Sequence, residues 1–149
     1  EGGRDDPSLT IVTNALNIAY ELAIRPQVKI VLTGGAARPQ TFELVGPIVD
    51  RTLSDLVLDW AFIGVDGVHA EYGATTLDEG EAHVNRGLAK AARTVVVAAD
   101  ASKMDRTSFA RILELSEIDI LLTDASPGEG LARALDDAGV RLLLSGQAD

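Results

Sequence analysis

The 149-residue chain has no cysteine, one methionine, one tryptophan and only 4% aromatic residues. Without cysteine it forms no disulfide, offers no thiolate nucleophile and builds no thiolate zinc site. With so few aromatics, the core must come from Ala, Val, Leu and Ile, the residues that fill parallel α/β sheets. Long apolar runs are lacking too. None approaches the roughly 18 residues a membrane-spanning helix needs, and no signal-peptide pattern is visible. Basic residues are outnumbered by acidic ones, 13 to 23, for a formal net charge of −10. Such a charge favours solubility and opposes close approach to a phosphate backbone, so this stretch alone is a poor nucleic-acid binder. His69 and His83 stand at no metal-ligand spacing, and neither a metal nor a cofactor is expected. A cytoplasmic protein fits this composition.

What is present is a 46% hydrophobic chain of single-domain length, able to bury a real core. It is organised around Val57–Val68, whose apolar residues run almost unbroken from Trp60 to Val65. A run of that kind suits a central strand covered on both faces. Leu9–Val12, Val28–Leu32, Thr94–Ala98, Ile118–Leu122 and Val140–Leu144 read as further strands. Helical spacing predicts helices over Ala15–Ile24, from Gly46-Pro47 to Leu56, over Glu79–Ala92 and over Pro127–Ala138. Thr13-Asn14 suits a helix cap, and Lys90 with Arg93 suits a helix C-terminus. Phe42–Val45 reads as a short extended piece, His69–Asp78 as a loop, and Thr107–Leu115 as helix or strand alike. Glu1–Pro7 reads as a loose lead-in. Strands alternating with helices predict an α/β fold with a mostly parallel, doubly wound sheet flanked by helices.

In such sheets ligands bind outside the carboxyl ends of the strands, and several predicted ends carry suggestive groups. Gly34-Gly35 reads either as an anion-binding concavity or as a plain tight turn. Arg38 adds a charge to that loop or lies in solvent. Asp66-Gly67 reads as an acceptor for ligand hydroxyls or as a turn in which the aspartate bonds its own backbone. Gly73-Ala74-Thr75-Thr76 offers hydroxyls, as many plain loops do. Asp100-Ala101-Ser102-Lys103 is more pointed. Lys103 suits a phosphate, with Asp100 and Ser102 on hydroxyls; alternatively Asp100 and Ser102 cap the next helix and Lys103 lies in solvent. A polar site for a small, hydroxylated, phosphorylated metabolite is the reading these residues share.

Val12-Thr13-Asn14-Ala15-Leu16, Leu32-Thr33-Gly34-Gly35, Ala61-Phe62-Ile63-Gly64-Val65-Asp66-Gly67, Gly73-Ala74-Thr75, Ala99-Asp100-Ala101-Ser102-Lys103 and Ile120-Leu121-Leu122-Thr123-Asp124 also occur in a familiar order and spacing. The set resembles the DeoR family of bacterial transcriptional regulators, over essentially the whole chain from Leu9. The resemblance implies the C-terminal effector-sensing domain of a regulator, usually a repressor of carbohydrate catabolism. It implies a fold similar to ribose-phosphate isomerases and glucosamine-phosphate deaminases, with residues 1–149 forming one sensing domain. A sugar phosphate is then the ligand, a homo-oligomer the expected assembly, and no membrane is involved. The matching pocket positions are Gly34, Gly35, Asp66, Gly67, Gly73, Thr75, Asp100, Ser102 and Lys103, with Asn14 and Arg38 as outlying candidates. The family reads operator DNA through an N-terminal winged helix-turn-helix, which is not in this stretch. Nor is the strand and Asp-x-Gly-Thr/Ser loop that opens such a domain, so the sequence reads as N-terminally truncated against the family.

Two rival readings stand beside this one. A related fold hosts sugar-phosphate isomerases and deaminases, for which Asp66 is a candidate base with His69 as a relay. An oligomerisation module with an incomplete pocket is the other.

Overall fold

The structure, a computed structural model, describes residues 8–146, so the predicted lead-in Glu1–Pro7 lies outside the described residues. The chain divides into two compact units, residues 1–55 and 56–149.

In the first unit, β1 (Leu9–Thr13) runs parallel to β2 (Val28–Leu32), with Leu9 opposite Val28 and Thr13 opposite Leu32. Helix α1 (Leu16–Leu22) makes the crossover. It is shorter than the predicted Ala15–Ile24, and Pro26 forbids its continuation. Neither Thr13 nor Asn14 is its N-cap. Ala15 holds that position without a side-chain bond, while the Thr13 hydroxyl accepts the Ala15 amide at 3.1 Å. Strands β3 (Ala36–Ala37) and β4 (Leu44–Val45) form a short antiparallel pair. Helix α2 (Pro47–Ser54) follows, with proline at its start, where the missing N–H costs nothing. Val49 and Leu53 of this helix are buried, as is Leu44 of β4.

The second unit holds a four-stranded parallel sheet in the order β11-β10-β8-β5. Its strands are β5 (Leu58–Gly64), β8 (Ala92–Ala98), β10 (Ile120–Thr123) and β11 (Arg141–Leu144). The flanking helices are α3 (Glu79–Ala91) and α4 (Glu129–Asp137). Ala61, Ile63, Val95, Val97 and Leu121 from the sheet pack with Ala82 and Ala89 of α3 and with Leu131 and Leu135 of α4 in one core. The fold is thus α/β with a mostly parallel sheet flanked by helices, as the alternation of elements predicts.

Three expectations differ from the structure here. The Val57–Val68 run is not one central strand. Strand β5 ends at Gly64 and is the outer strand of its sheet, and its burial alternates. Ala61 and Ile63 are buried, whereas Trp60 (52% exposed) and Phe62 (69%) stack on the open face with ring centroids 6.2 Å apart. A continuous apolar run cannot tell burial on one face from burial on both. The predicted loop His69–Asp78 instead contains half of an antiparallel sheet, β6 (Gly67–His69), β7 (Gly73–Thr76) and β9 (Ala110–Leu113), in that order. Of the ambiguous segment Thr107–Leu115, Ala110–Leu113 is strand. Finally, α3 stops at Ala91, so Arg93 lies in β8 and not at a helix terminus.

Strand β7 reads Gly-Ala-Thr-Thr, yet all four residues are buried. Its backbone lies so close to β9 that a Cβ on Gly73 (φ 69°) falls 2.1 Å from the Leu113 carbonyl oxygen. Only glycine fits there.

Candidate functional site

The candidate residues of the second unit gather where β5 and β8 end. Asp66 follows β5 and precedes β6. Its amide donates to the Thr75 carbonyl at 2.9 Å. Its Oδ2 accepts the Thr76 hydroxyl at 2.8 Å and the Leu77 amide at 3.2 Å. Its Oδ1 faces Lys103 Nζ at 3.9 Å, both side chains about one-third exposed (34%). Asp66 therefore neither bonds its own next residues nor floats free. It clips the end of β7 and holds a cation. An ion pair this exposed contributes little to stability, which leaves the Lys103 charge available to another anion.

Asp100 follows β8 and caps the single 3-10 turn Ala101–Lys103. Its Oδ1 accepts the Ser102 amide at 2.8 Å and, in a short contact, the Ser102 hydroxyl. Those two hydrogen bonds, followed by the charges of Lys103 and Arg106, hold its carboxyl below the ordinary value of 3.8. The capping reading of Asp100 thus describes the structure, while Lys103, read as either a phosphate ligand or a solvated side chain, turns to Asp66. Asp100 keeps its full charge beside two cations, an arrangement that can accept hydroxyl donors.

Three candidates serve the frame of this corner. Thr75 is fully buried, and its hydroxyl accepts the Ser108 amide at 2.8 Å. Gly67 leaves room for the Arg106 carbonyl, 2.4 Å from where its Cβ would stand, and Gly73 does the same for β9. Thr75 and Gly67 thus fasten the 104–108 segment against the antiparallel sheet.

The remaining candidates, His69 apart, belong to the first unit. Gly34 and Gly35 adopt φ of 73° and 123°, the left-handed region expected of a glycine turn. Arg38 pairs with Glu43 at 4.0 Å, and Asn14 donates its side-chain amide to the Leu44 carbonyl at 2.9 Å. His69 accepts the Glu71 amide through Nδ1 at 3.0 Å and packs on Tyr72. The partners of Asp66 are Thr76, Leu77 and Lys103, so the Asp66–His69 relay of the enzyme reading is not formed.

Sequence reasoning missed Arg106 here, and it noted Thr76 and Asp124 within motifs without placing them at the site. The clue for Asp124 was a repeated pattern, an apolar strand ending in an acid. Its Oδ1 accepts the Ala101 amide at 2.7 Å.

A profile described as the DeoR C terminal sensor domain matches residues 4–125. The chain belongs to this family. It is 38% identical over 138 residues to the HTH-type transcriptional repressor GlcR of Bacillus subtilis, covering 93% of this chain and 53% of that protein. It is 31% identical over 144 residues to a putative aga operon transcriptional repressor of Escherichia coli O157:H7, covering 97% and 54%. With the glycerol-3-phosphate regulon repressor of Escherichia coli K12 it shares 28% over 137 residues, covering 92% and 54%. The chain spans about half the length of the curated relatives it matches. A DeoR sensor domain is a regulatory module and not an enzyme, and its fold is of the sugar-phosphate isomerase-like type. The resemblance carried by the motifs and the preference for a sensor over an isomerase or deaminase both hold. Among the described residues no helix is long and apolar enough to cross a membrane.

Proposed function

We propose that residues 1–149 form one effector-sensing domain of a cytoplasmic DeoR-type repressor of carbohydrate catabolism, and that the effector is a small phosphorylated sugar or polyol. The observation that carries this reading is the Asp66–Lys103 pair at the strand ends. Asp66 already gives Lys103 an anionic partner, and a phosphoryl oxygen can take the same place, gaining a charge-assisted hydrogen bond. Asp100 and Ser102 lie beside Lys103 on one turn and suit ligand hydroxyls. The family match spans both units, which supports one sensing domain, and one relative is named for a glycerol-3-phosphate regulon.

Operator DNA is contacted through a helix-turn-helix region outside these residues. The net charge of −10 disfavours a direct role for this stretch. The assembly is a homo-oligomer, because regulators of palindromic sites are generally symmetric. Exposed Trp60 and Phe62 on one face of β5 offer apolar surface that favours association.

Thermal unfolding of the chain against a panel of sugar phosphates, polyol phosphates and their unphosphorylated parents tests the proposal. Ligand at about 100 times its dissociation constant adds roughly 2.7 kcal/mol to stability. The expected result is a rise in melting temperature with one phosphorylated compound, absent for its parent and abolished in Lys103→Ala. An equal shift with the unphosphorylated parent rejects phosphate recognition, and a shift retained in Lys103→Ala rejects this location.

A further inference from the structure

The turn that carries Ser102 and Lys103 is three residues long. A single 3-10 turn has little persistence of its own, so the position of Lys103 depends on what pins the turn. The bonds from Asp100 to Ser102, from the Lys103 amide to the Asp100 carbonyl (3.0 Å) and from the Met104 amide to the Ala101 carbonyl (3.2 Å) are all local. They move with the turn. Besides the Lys103–Asp66 pair itself, two anchors of the backbone are not local. On the exit side, Met104 bridges Val68, and the Asp105 amide donates to the Val68 carbonyl at 2.8 Å. On the entry side, the Ala101 amide donates to Asp124 Oδ1 at 2.7 Å, across 23 residues of sequence.

Asp124 is well placed for this. It directly follows β10, whose Leu122 is level with Ala98 of β8, and the Ala99 amide still donates to the Leu122 carbonyl at 3.0 Å. The ladder therefore continues one residue beyond β8, and the Asp124 carboxylate takes the next amide but one. The carboxylate thus supplies an acceptor for an amide just past the end of the ladder.

We propose that Asp124 is a positioning residue for the candidate site: by accepting the Ala101 amide it fixes the Ala101–Lys103 turn, and so sets where the Lys103 ammonium meets an incoming phosphate. The role acts through Lys103 and rests on the phosphate reading above. It needs an acceptor at this point and not a charge.

Four variants separate those requirements: Asp124→Ala removes the acceptor, Asp124→Asn keeps an acceptor without the charge, Ala101→Pro removes the donor, and the fourth combines Ala101→Pro with Asp124→Ala. Proline is compatible with the first position of the turn, since Asp100 before it is extended (φ −75°, ψ 170°), as a residue preceding proline prefers. The measurements are amide hydrogen exchange at Ser102 and Lys103, at Ala101 where it keeps its N–H, and chemical-shift titration with inorganic phosphate and glycerol 3-phosphate.

The expected result is faster exchange on the turn and about tenfold weaker probe binding in Asp124→Ala, the scale of one hydrogen bond. Asp124→Asn should keep most of both, Ala101→Pro should match Asp124→Ala, and the double variant should be no worse than either alone. Unchanged exchange in Asp124→Ala overturns the proposal, as does an equal loss in Asp124→Asn, which assigns the effect to charge. Additive losses in the double variant overturn it too. Should the wild-type chain bind neither probe, the phosphate reading fails by itself. Exchange on the turn in the four variants then decides the positioning role.

Discussion

The two sheets of the second unit bury themselves by opposite means. The parallel sheet, β5-β8-β10-β11, does so with side-chain bulk: Ile63, Val97 and Leu121 are almost wholly enclosed. The antiparallel sheet, β6-β7-β9, has at its middle a strand of Gly-Ala-Thr-Thr. It is just as enclosed, through close backbone approach and fully used hydroxyls. The division bears on function, because the parallel sheet ends in the charged groups Asp66, Asp100 and Asp124. The antiparallel sheet holds Asp66 through the Thr76 hydroxyl and fastens the 104–108 segment through Thr75 and Gly67.

The most severe way to break this contrast is Gly73→Ala. The added Cβ meets the Leu113 carbonyl at 2.1 Å and requires φ near 69°, so β7 and β9 must separate. A destabilisation of roughly 3 kcal/mol or more is expected, at the upper end for single substitutions. Urea unfolding followed by circular dichroism measures it. A loss below about 1 kcal/mol, the ordinary scale for a point substitution, refutes the idea that close approach holds this sheet.

The same contrast explains what was legible in the sequence. Strands β5, β8, β10 and β11 announced themselves because bulk is visible as apolar runs such as Thr94–Ala98. Strand β7 looked like a loop because nothing in Gly73-Ala74-Thr75-Thr76 is bulky, and its burial depends on a carbonyl some 40 residues away in β9, by the numbering of Gly73 and Leu113. The exposed face of β5 was misjudged for the reverse reason: Trp60 and Phe62 are apolar enough to look buried. At the site, Asp66, Asp100 and Lys103 were legible because acids and bases at strand ends are local signals. The partner of Asp66, Thr76, lies across a hairpin, and the partner of Ala101 lies beyond the next crossover, so neither bond could be read from local pattern.

A matched pair of buried threonines sharpens the comparison at smaller magnitude. Thr75, in the antiparallel sheet, accepts the Ser108 amide. Thr123, at the end of β10, is 2% exposed, and its hydroxyl has no hydrogen-bond partner among the described residues. Valine has nearly the same shape in both places. Thr75→Val leaves an amide unsatisfied and should cost about 1–3 kcal/mol, whereas Thr123→Val removes an unspent hydroxyl and should be neutral or stabilising. Denaturant midpoints of the two variants give the sign directly. Equal effects would show that hydroxyl satisfaction does not distinguish the sheets.

The smallest effect concerns the charged corner itself. Asp100 has its carboxyl held below the ordinary 3.8, first by the Ser102 hydroxyl and amide and then by the charges of Lys103 and Arg106. A carboxyl depressed in the folded state contributes stability that is complete above its unfolded-state value and is lost as pH falls through the folded-state value. The contribution therefore disappears only below about pH 4, leaving neutral-pH stability insensitive to modest acidification. Ser102→Ala removes the largest cause, and the Asp100 titration, followed by carboxyl carbon NMR, should move up toward the ordinary value. High salt should move it further by screening Lys103 and Arg106. If salt alone accounts for the whole shift and Ser102→Ala changes nothing, the turn is held by charge and not by hydrogen bonds. The corner would then resemble neither sheet, and ionic strength, not geometry, would govern how Lys103 is presented.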